Sequence, residues 1–372
     1  MGQVNHKRIV ISGYYGFRNS GDEAVLHSIV SALREESERQ GVSVTPVVLS
    51  ANPAETARMY GVEAVHRMRP KELISAVRSA GALISGGGSL LQDVTGVKTI
   101  PYYLGVIKLA QLMGKPTYVY AQGIGPVLRR GLFGPMIRSV LRACKYVSVR
   151  DEESKELLAA LGLNGKEVQV VPDPVMGLGV SARLRRSGAD RGKTVGVSVR
   201  FWREDRADLD AVAVGLALLM ERSDCGVTFL PFHLPSDLDA SRVVAEKLLS
   251  MGFGPDRVTV HPGTEHPEDM LREVSQCAAL IGMRLHSLIY AATSFIPAIG
   301  VSYDPKIDQF LRRLGDAPAG TTDSLSAETL ARTTLECIRT ADAWAAQRRE
   351  AIERLQRDSL EPAKQIVREL RI

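Results

Sequence analysis

IGMRLHSLIYAATSFIPAIGVSYDPKIDQFL, residues 281–311, is the stretch on which the reading of the fold turns. The apolar run at 278–283 has the length of a buried strand, and Arg284 and His286 follow it directly. Leu288, Ile289 and Ala292 then form the inward face of a helix, and the run at 298–301 starts another strand. Strand, helix and strand in that succession predict a parallel sheet covered by helices. Arg284 and His286 fall where a strand ends and a helix opens, and the helix dipole there favours anions. Residues two apart do not share a helix face, so both meet one ligand only if Arg284 precedes the first full turn.

The same rhythm extends in both directions. Strands are expected at 7–12, 45–50, 81–85, 117–121, 146–149 and 168–171, and again at 194–200, 226–231 and 258–261. Helices are expected at 22–40, 151–161, 207–221 and 236–251, the first of them after the cap-like Asn19-Ser20-Gly21. Periodicity lapses near 177–192 into Gly, Ser, Ala and Arg, the composition of a linker. The expected organisation is therefore an N-terminal α/β domain over 1–177, a linker over 178–192, a second α/β domain over 193–325 and a helical segment over 326–372. That segment is expected to pack back across the junction, and two such domains would face a cleft lined by strand ends.

Composition narrows the function classes. The chain has 372 residues, 45% of them apolar and 24% charged, and no run approaches the roughly 20 apolar residues of a membrane span. The opening residues run into a stretch at 9–12 too short for a secretory core, and Cys144, Cys225, Cys277 and Cys337 lack pairing or metal-like spacing. A cytoplasmic protein with free thiols is the expectation. A net charge of +5 favours anionic partners, including peripheral contact with anionic lipid. Nucleic acid is disfavoured because aromatics are only 5% and no basic run interleaves with them. His233, His261 and His266 lack ligand spacing, so no metal is expected.

Three further motifs sit at strand ends. GYYGFRNSGDEAVL (13–26) joins a glycine-bearing loop to a helix start, with Tyr14, Asn19 and Asp22 as candidate ligands of a sugar. SGGGSLLQD (85–93) sets Gly86, Gly87 and Gly88 in a row, which implies positive φ or a need for side-chain-free space. AQGIGP (121–126) repeats the device, with Gln122 able to bond a hydroxyl. Arg150, in VSVRDEES (147–154), and Arg200 also end strands, and with Arg284 they form a candidate clamp for an ion bearing carboxylate and phosphate. Asp173, in VPDPV (171–175), is first a turn residue and stays outside the catalytic set.

Taken together and in order, GYYGFRNSGDEAVL, ISGGGSLLQD, AQGIGP, VSVRDEES and GMRLHSLIYA resemble the polysaccharide pyruvyl transferases, most closely the bacterial cell-wall (CsaB-like) type. The resemblance covers about residues 7–311. It implies a GT-B-like fold of two Rossmann-like domains, the first on the acceptor side and the second on the donor side. It also implies transfer of enolpyruvate from phosphoenolpyruvate onto two hydroxyls of a sugar, giving a pyruvate ketal and phosphate, with no cofactor. The implied acceptor is a lipid-linked saccharide containing N-acetylmannosamine, a precursor of the secondary cell-wall polysaccharide that anchors S-layers. By motif, His286 would be the catalytic acid and Arg284 a donor ligand, with Ser287 and Lys306 beside them and a further arginine at Arg150 or Arg200. Two other readings share the architecture or the charge: a nucleotide-sugar glycosyltransferase of GT-B fold, and a non-catalytic module for anionic glycans.

Overall fold

The structure is a computed structural model and describes residues 6–94, 96–179 and 193–371. It divides into two compact units, Met1–Gly177 with Arg357–Ile372, and Leu178–Gln356. The linker expected at 178–192 lies, from residue 180 onward, outside the described residues.

Unit 1 opens with β1 (His6–Tyr15), α1 (Ser20–Gln40), β2 (Ser43–Ser50), α2 (Pro53–Tyr60), β3 (Glu63–His66) and α3 (Pro70–Ser79). It continues through β4 (Ala82–Ser85), β5 (Gly88–Leu91), α4 (Thr99–Leu112), β6 (Thr117–Ile124), α5 (Arg130–Arg142), β7 (Tyr146–Val149), α6 (Glu152–Ala160) and β8 (Gln169–Val170). Its sheet runs β3-β2-β1-β4-β6-β7-β8, with β5 paired to β6, and the pairings are parallel. Helices on both faces of such a sheet explain why its strands read as unbroken apolar runs: Ile9, Val10, Ile11, Leu83 and Ile84 are all fully buried.

Unit 2 comprises β9 (Thr194–Ser198), α7 (Ala207–Glu221), β10 (Gly226–Phe229), α8 (Ser236–Ser250), β11 (Val258–Val260) and α9 (Pro267–Ser275). Then come β12 (Ala279–Gly282), α10 (Leu285–Thr293), β13 (Ala298–Ser302), α11 (Pro305–Leu314), β14 (Gly320–Thr321), α12 (Ala327–Arg339) and most of α13 (Ala341–Ser359), while α14 (Glu361–Leu370) belongs to unit 1. The sheet order is β11-β10-β9-β12-β13-β14, again parallel. The C-terminal segment is helical as read; α12 packs on α7 within unit 2, and α14 packs on α1 within unit 1.

In each unit the first strand lies inside the sheet, and the chain winds outward on one side before crossing to the other. The reversal falls between β1 and β4 in unit 1 and between β9 and β12 in unit 2, the positions where open α/β sheets bind ligands beyond their carboxyl ends.

Local chemistry accounts for the boundaries. Asn19 caps α1 by accepting from the Gly21 N–H at 3.1 Å, and Gly41 ends it in the left-handed region at φ +66°. One expectation fails in an instructive way: AQGIGP is not a loop after the strand, because β6 runs on to Ile124. The extension is possible because β5 lies beside it, pairing Gly88 with Gln122 and Leu91 with Ile124. The short strands β3, β5 and β14 were not among those expected.

Candidate functional site

Four neighbouring strands of unit 2 place polar side chains at their carboxyl ends. Arg200 follows β9, His233 follows β10, Arg284 follows β12, and Tyr303 follows β13. Arg284 is the N-cap of α10 with extended backbone (φ −102°, ψ 128°), so it does precede the first turn, as the spacing required. His286 stands half-buried in that first turn. Ser287 is buried beneath it and donates from Oγ to the Arg284 carbonyl at 2.7 Å.

Asp237, in the first turn of α8, fixes Arg284. Its side chain is wholly buried, and the Arg284 guanidinium grips it as a fork, Nε donating to Oδ2 at 2.9 Å and Nη2 to Oδ1. Asp237 also accepts the backbone N–H of His233 at 2.9 Å. The His233 imidazole is held below its usual titration range, first by burial, then by the Arg284 charge, with Asp237 opposing and Arg200 adding to the depression. Arg200, His233, Asp237 and Arg284 therefore lie within electrostatic reach of one another.

Arg200 differs from Arg284 in having no carboxylate partner among the described residues. Its Nη1 donates to the Tyr303 hydroxyl at 2.6 Å, and its guanidinium stacks 4.7 Å from the Tyr303 ring and 5.3 Å from that of Trp202. Its Nε is buried with no hydrogen-bond partner among the described residues. A half-buried cation left unneutralised suits an anionic ligand. Lys306, by contrast, is paired with Asp304 at 2.8 Å at the start of α11.

The corresponding edge of unit 1 is built differently. Arg150 donates to Ser89 Oγ at 2.7 Å and lies 3.5 Å from both Asp151 and Asp173, so its charge is already answered. Gly123 makes room for it, since a Cβ there would stand 2.8 Å from Arg150 Nε. Asp173, read as a turn residue, also accepts from the Val175 N–H at 3.1 Å. Gln122 is fully buried and accepts from Ser85 Oγ at 3.3 Å, while its Nε2 has no partner among the described residues.

The three consecutive glycines have separate reasons. A Cβ on Gly86 would lie 2.1 Å from the Tyr15 hydroxyl, and one on Gly87 2.9 Å from Val25, so both make space for the protein's own side chains. Gly88 has φ +91°, and a Cβ there would approach Asp22 Oδ1 to 2.8 Å. Tyr14 is exposed and stacks on Phe17 at 4.0 Å. Beside this pair sequence reading missed Arg67, a buried cation after β3 that donates to the Gly13 carbonyl at 3.0 Å and lies 4.6 Å from the Tyr102 ring.

The remaining candidates are structural. Burial raises the thiols of Cys144 and Cys337 to about 11 and that of Cys277 to about 12, which removes them as nucleophiles at neutral pH. His261 and His266 accept backbone N–H groups from Gly263 and Glu268, at 3.0 and 3.2 Å.

The first turn of α10 depends on Gly282, where a Cβ would lie 2.4 Å from Ser287 Oγ and 2.9 Å from Leu288 Cδ2. Gly282→Ala is expected to cost about 1–3 kcal/mol through overpacking, read as a lower thermal midpoint. Unchanged melting would show that α10 yields freely and that its first turn is not rigidly held.

Comparison with solved structures supports the architecture. A glycosyltransferase from Rickettsia africae superposes with a TM-score of 0.66 at 12% identity, covering 98% of this chain and 99% of that one. A UDP-GlcNAc 2-epimerase from Neisseria meningitidis bound to UDP-GlcNAc gives 0.64 at 10% identity, with the same coverage. An Anabaena protein in complex with UDP-glucose gives 0.58 at 12%, again covering 98% and 99%. At such identities the likeness is one of fold, the GT-B type with two Rossmann-like sheets. No curated protein sequence matches the chain. The model of one family does match, over residues 19–305, a range that takes in the strand-end residues of both sheets. On that match the chain belongs to the polysaccharide pyruvyl transferase family.

Proposed function

We propose that the protein transfers the pyruvyl group of phosphoenolpyruvate to two hydroxyls of one sugar, with the donor held at the strand-end cluster of unit 2. The observation that carries this reading is the pairing of two unlike arginines there: Arg284 locked in a fork by buried Asp237, and Arg200 without a carboxylate. Arg200 supplies uncompensated charge to a small, highly anionic donor, and Arg284 supplies a directed donor edge. Of Arg150 and Arg200, the second is assigned to the donor because it follows β9, beside the β12 strand that leads to Arg284, and brings charge that no carboxylate among the described residues answers.

In the proposed reaction His286 gives a proton to C3 of the enol phosphate while one sugar hydroxyl forms its bond to C2 and releases its proton. The second hydroxyl then bonds to C2 as the bond from C2 to the phosphate oxygen breaks. The first hydroxyl's proton restores the one that His286 gave to the new methyl group, and the second hydroxyl's ends on phosphate, so no oxidant or cofactor is consumed. Cations fixed beforehand near the leaving phosphate stabilise the charge it develops. Tyr14, Asn19 and Asp22 of unit 1 stand as the acceptor-side candidates, whereas Gln122, fully buried within β6, presents no surface to a sugar. A lipid-linked N-acetylmannosaminyl saccharide of cell-wall type is the proposed acceptor.

Trp202, 49% exposed and 4.4 Å from the Tyr303 ring, adds to the GT-B likeness in support of the nucleotide-sugar reading, since a base could stack there. The two readings separate in one experiment. Purified protein with phosphoenolpyruvate and a panel of synthetic saccharide acceptors should release phosphate and add a pyruvate ketal by mass, and should leave UDP-sugars intact. Release of UDP with no consumption of phosphoenolpyruvate would replace this reading with the second.

A further inference from the structure

Residues 94–150 contain lysines and arginines but no aspartate or glutamate. That stretch includes all of α4 and α5, so both helices are free of acids. It also exposes apolar side chains at the carboxyl edge of the unit 1 sheet. Val94, after β5, is 60% exposed; Leu128, after β6, 68%; and Leu132 and Met136, one turn apart on α5, 58% and 38%. Asp93 ties these loops together: its side chain, 0% exposed, accepts the N–H groups of Leu128 at 2.7 Å and Arg129 at 3.0 Å. Val94 and Leu128 are therefore neighbours, and the exposed Arg129 and Arg130 stand beside them.

We infer that this face docks on an anionic lipid bilayer, with Val94, Leu128, Leu132 and Met136 entering the headgroup boundary and Arg129 and Arg130 meeting lipid phosphates. Exposed apolar side chains among cations, on a stretch that itself carries no acid, are the composition of an interfacial helix; Arg129 is shared with Asp93 at 3.5 Å, and the exposed Glu152 and Glu153 open α6 after the neighbouring strand β7, outside that stretch. A second copy of this chain fits poorly, because a self-complementary contact would set arginines against arginines. The face lies at the sheet edge that carries the acceptor candidates, so docking would bring a lipid-linked sugar to that edge. This last consequence rests on the proposed function; the docking itself does not.

The test is sedimentation of the full chain with vesicles of phosphatidylcholine alone or mixed with phosphatidylglycerol, at low and high salt. Binding to the anionic vesicles, weakened by salt, is expected. Leu128→Glu with Leu132→Glu should reduce it about tenfold or more, and so should Arg129→Glu with Arg130→Glu. Phosphoenolpyruvate turnover on a water-soluble acceptor should be retained by both variants, which verifies their folding and tests the proposed function separately. Absence of vesicle binding, binding untouched by either double substitution, or a dimer that these substitutions split in light scattering would each overturn the inference.

Discussion

Arg284→Ala is expected to lower phosphoenolpyruvate-dependent phosphate release by about 10²–10³-fold, the loss typical of removing one preorganised donor from a developing anion. Arg284→Lys should fare little better. An ammonium cannot reproduce the fork through which Nε and Nη2 hold both oxygens of Asp237. Arg284→Ala also strands a fully buried carboxylate, so a stability loss of about 3–5 kcal/mol accompanies the kinetic one, whereas the lysine keeps a counter-charge for Asp237 and should cost less. Asp237→Asn separates the two effects. It keeps the volume and removes the charge, so Arg284 loses its anchor while the site becomes more positive. The expected result is a lower kcat with donor affinity unchanged or tighter, whereas Arg284→Ala weakens both. Rates of Arg284→Ala within threefold of the parent protein, in a folded sample, would remove Arg284 from the donor site.

The contrast between Arg200 and Arg284 also shows how far side-chain type alone carries a reading. Sequence places both at strand ends and cannot tell them apart, because the partner that distinguishes them, Asp237, lies far away on α8. There it looks like any first-turn acid favoured by a helix dipole. His233 stands in the sequence only as a histidine without ligand spacing; its place after β10 becomes visible once the sheet order sets β10 beside β9. Arg67 was passed over because β3 is only four residues long and gives no periodic signal. The acid-free face of α4 and α5 was hidden by averaging, since a net +5 over the whole chain says nothing about where the acids are missing.

What sequence did convey followed from spacing. Apolar runs separated by helix-length segments gave the two parallel sheets, and the rule that ligands gather at strand ends put forward Arg150, Arg200, Arg284 and His286, of which Arg150 stands on the sheet of unit 1 and the others on that of unit 2. Glycine was harder to read. Three in a row implied side-chain-free space, but only contact geometry reveals that Gly86 yields to Tyr15 and Gly87 to Val25. For AQGIGP, glycines read as a loop belong to a strand whose partner, β5, was itself disguised by glycine.

His286→Gln is expected to reduce kcat by about 10²–10⁴-fold, the range of a lost general acid, with the donor still bound within a few-fold of the parent affinity. His233→Gln should cost much less and act on pH dependence instead. In the free protein His233 is depressed below its ordinary value near 6.5, burial being the main cause and Arg284 the next. A histidine depressed by folding contributes its stability in full above pH 6.5, and that contribution fades as pH falls from 6.5 toward its lower folded value. An anionic donor beside it reverses the Arg284 effect and raises its proton affinity, so donor binding and protonation favour one another. The ratio of parent to His233→Gln donor affinity should accordingly grow as pH is lowered through that window, the donor's own titration cancelling in the ratio. A flat ratio would place His233 outside electrostatic reach of the donor, and a kcat loss at His233 as large as that at His286 would exchange their roles.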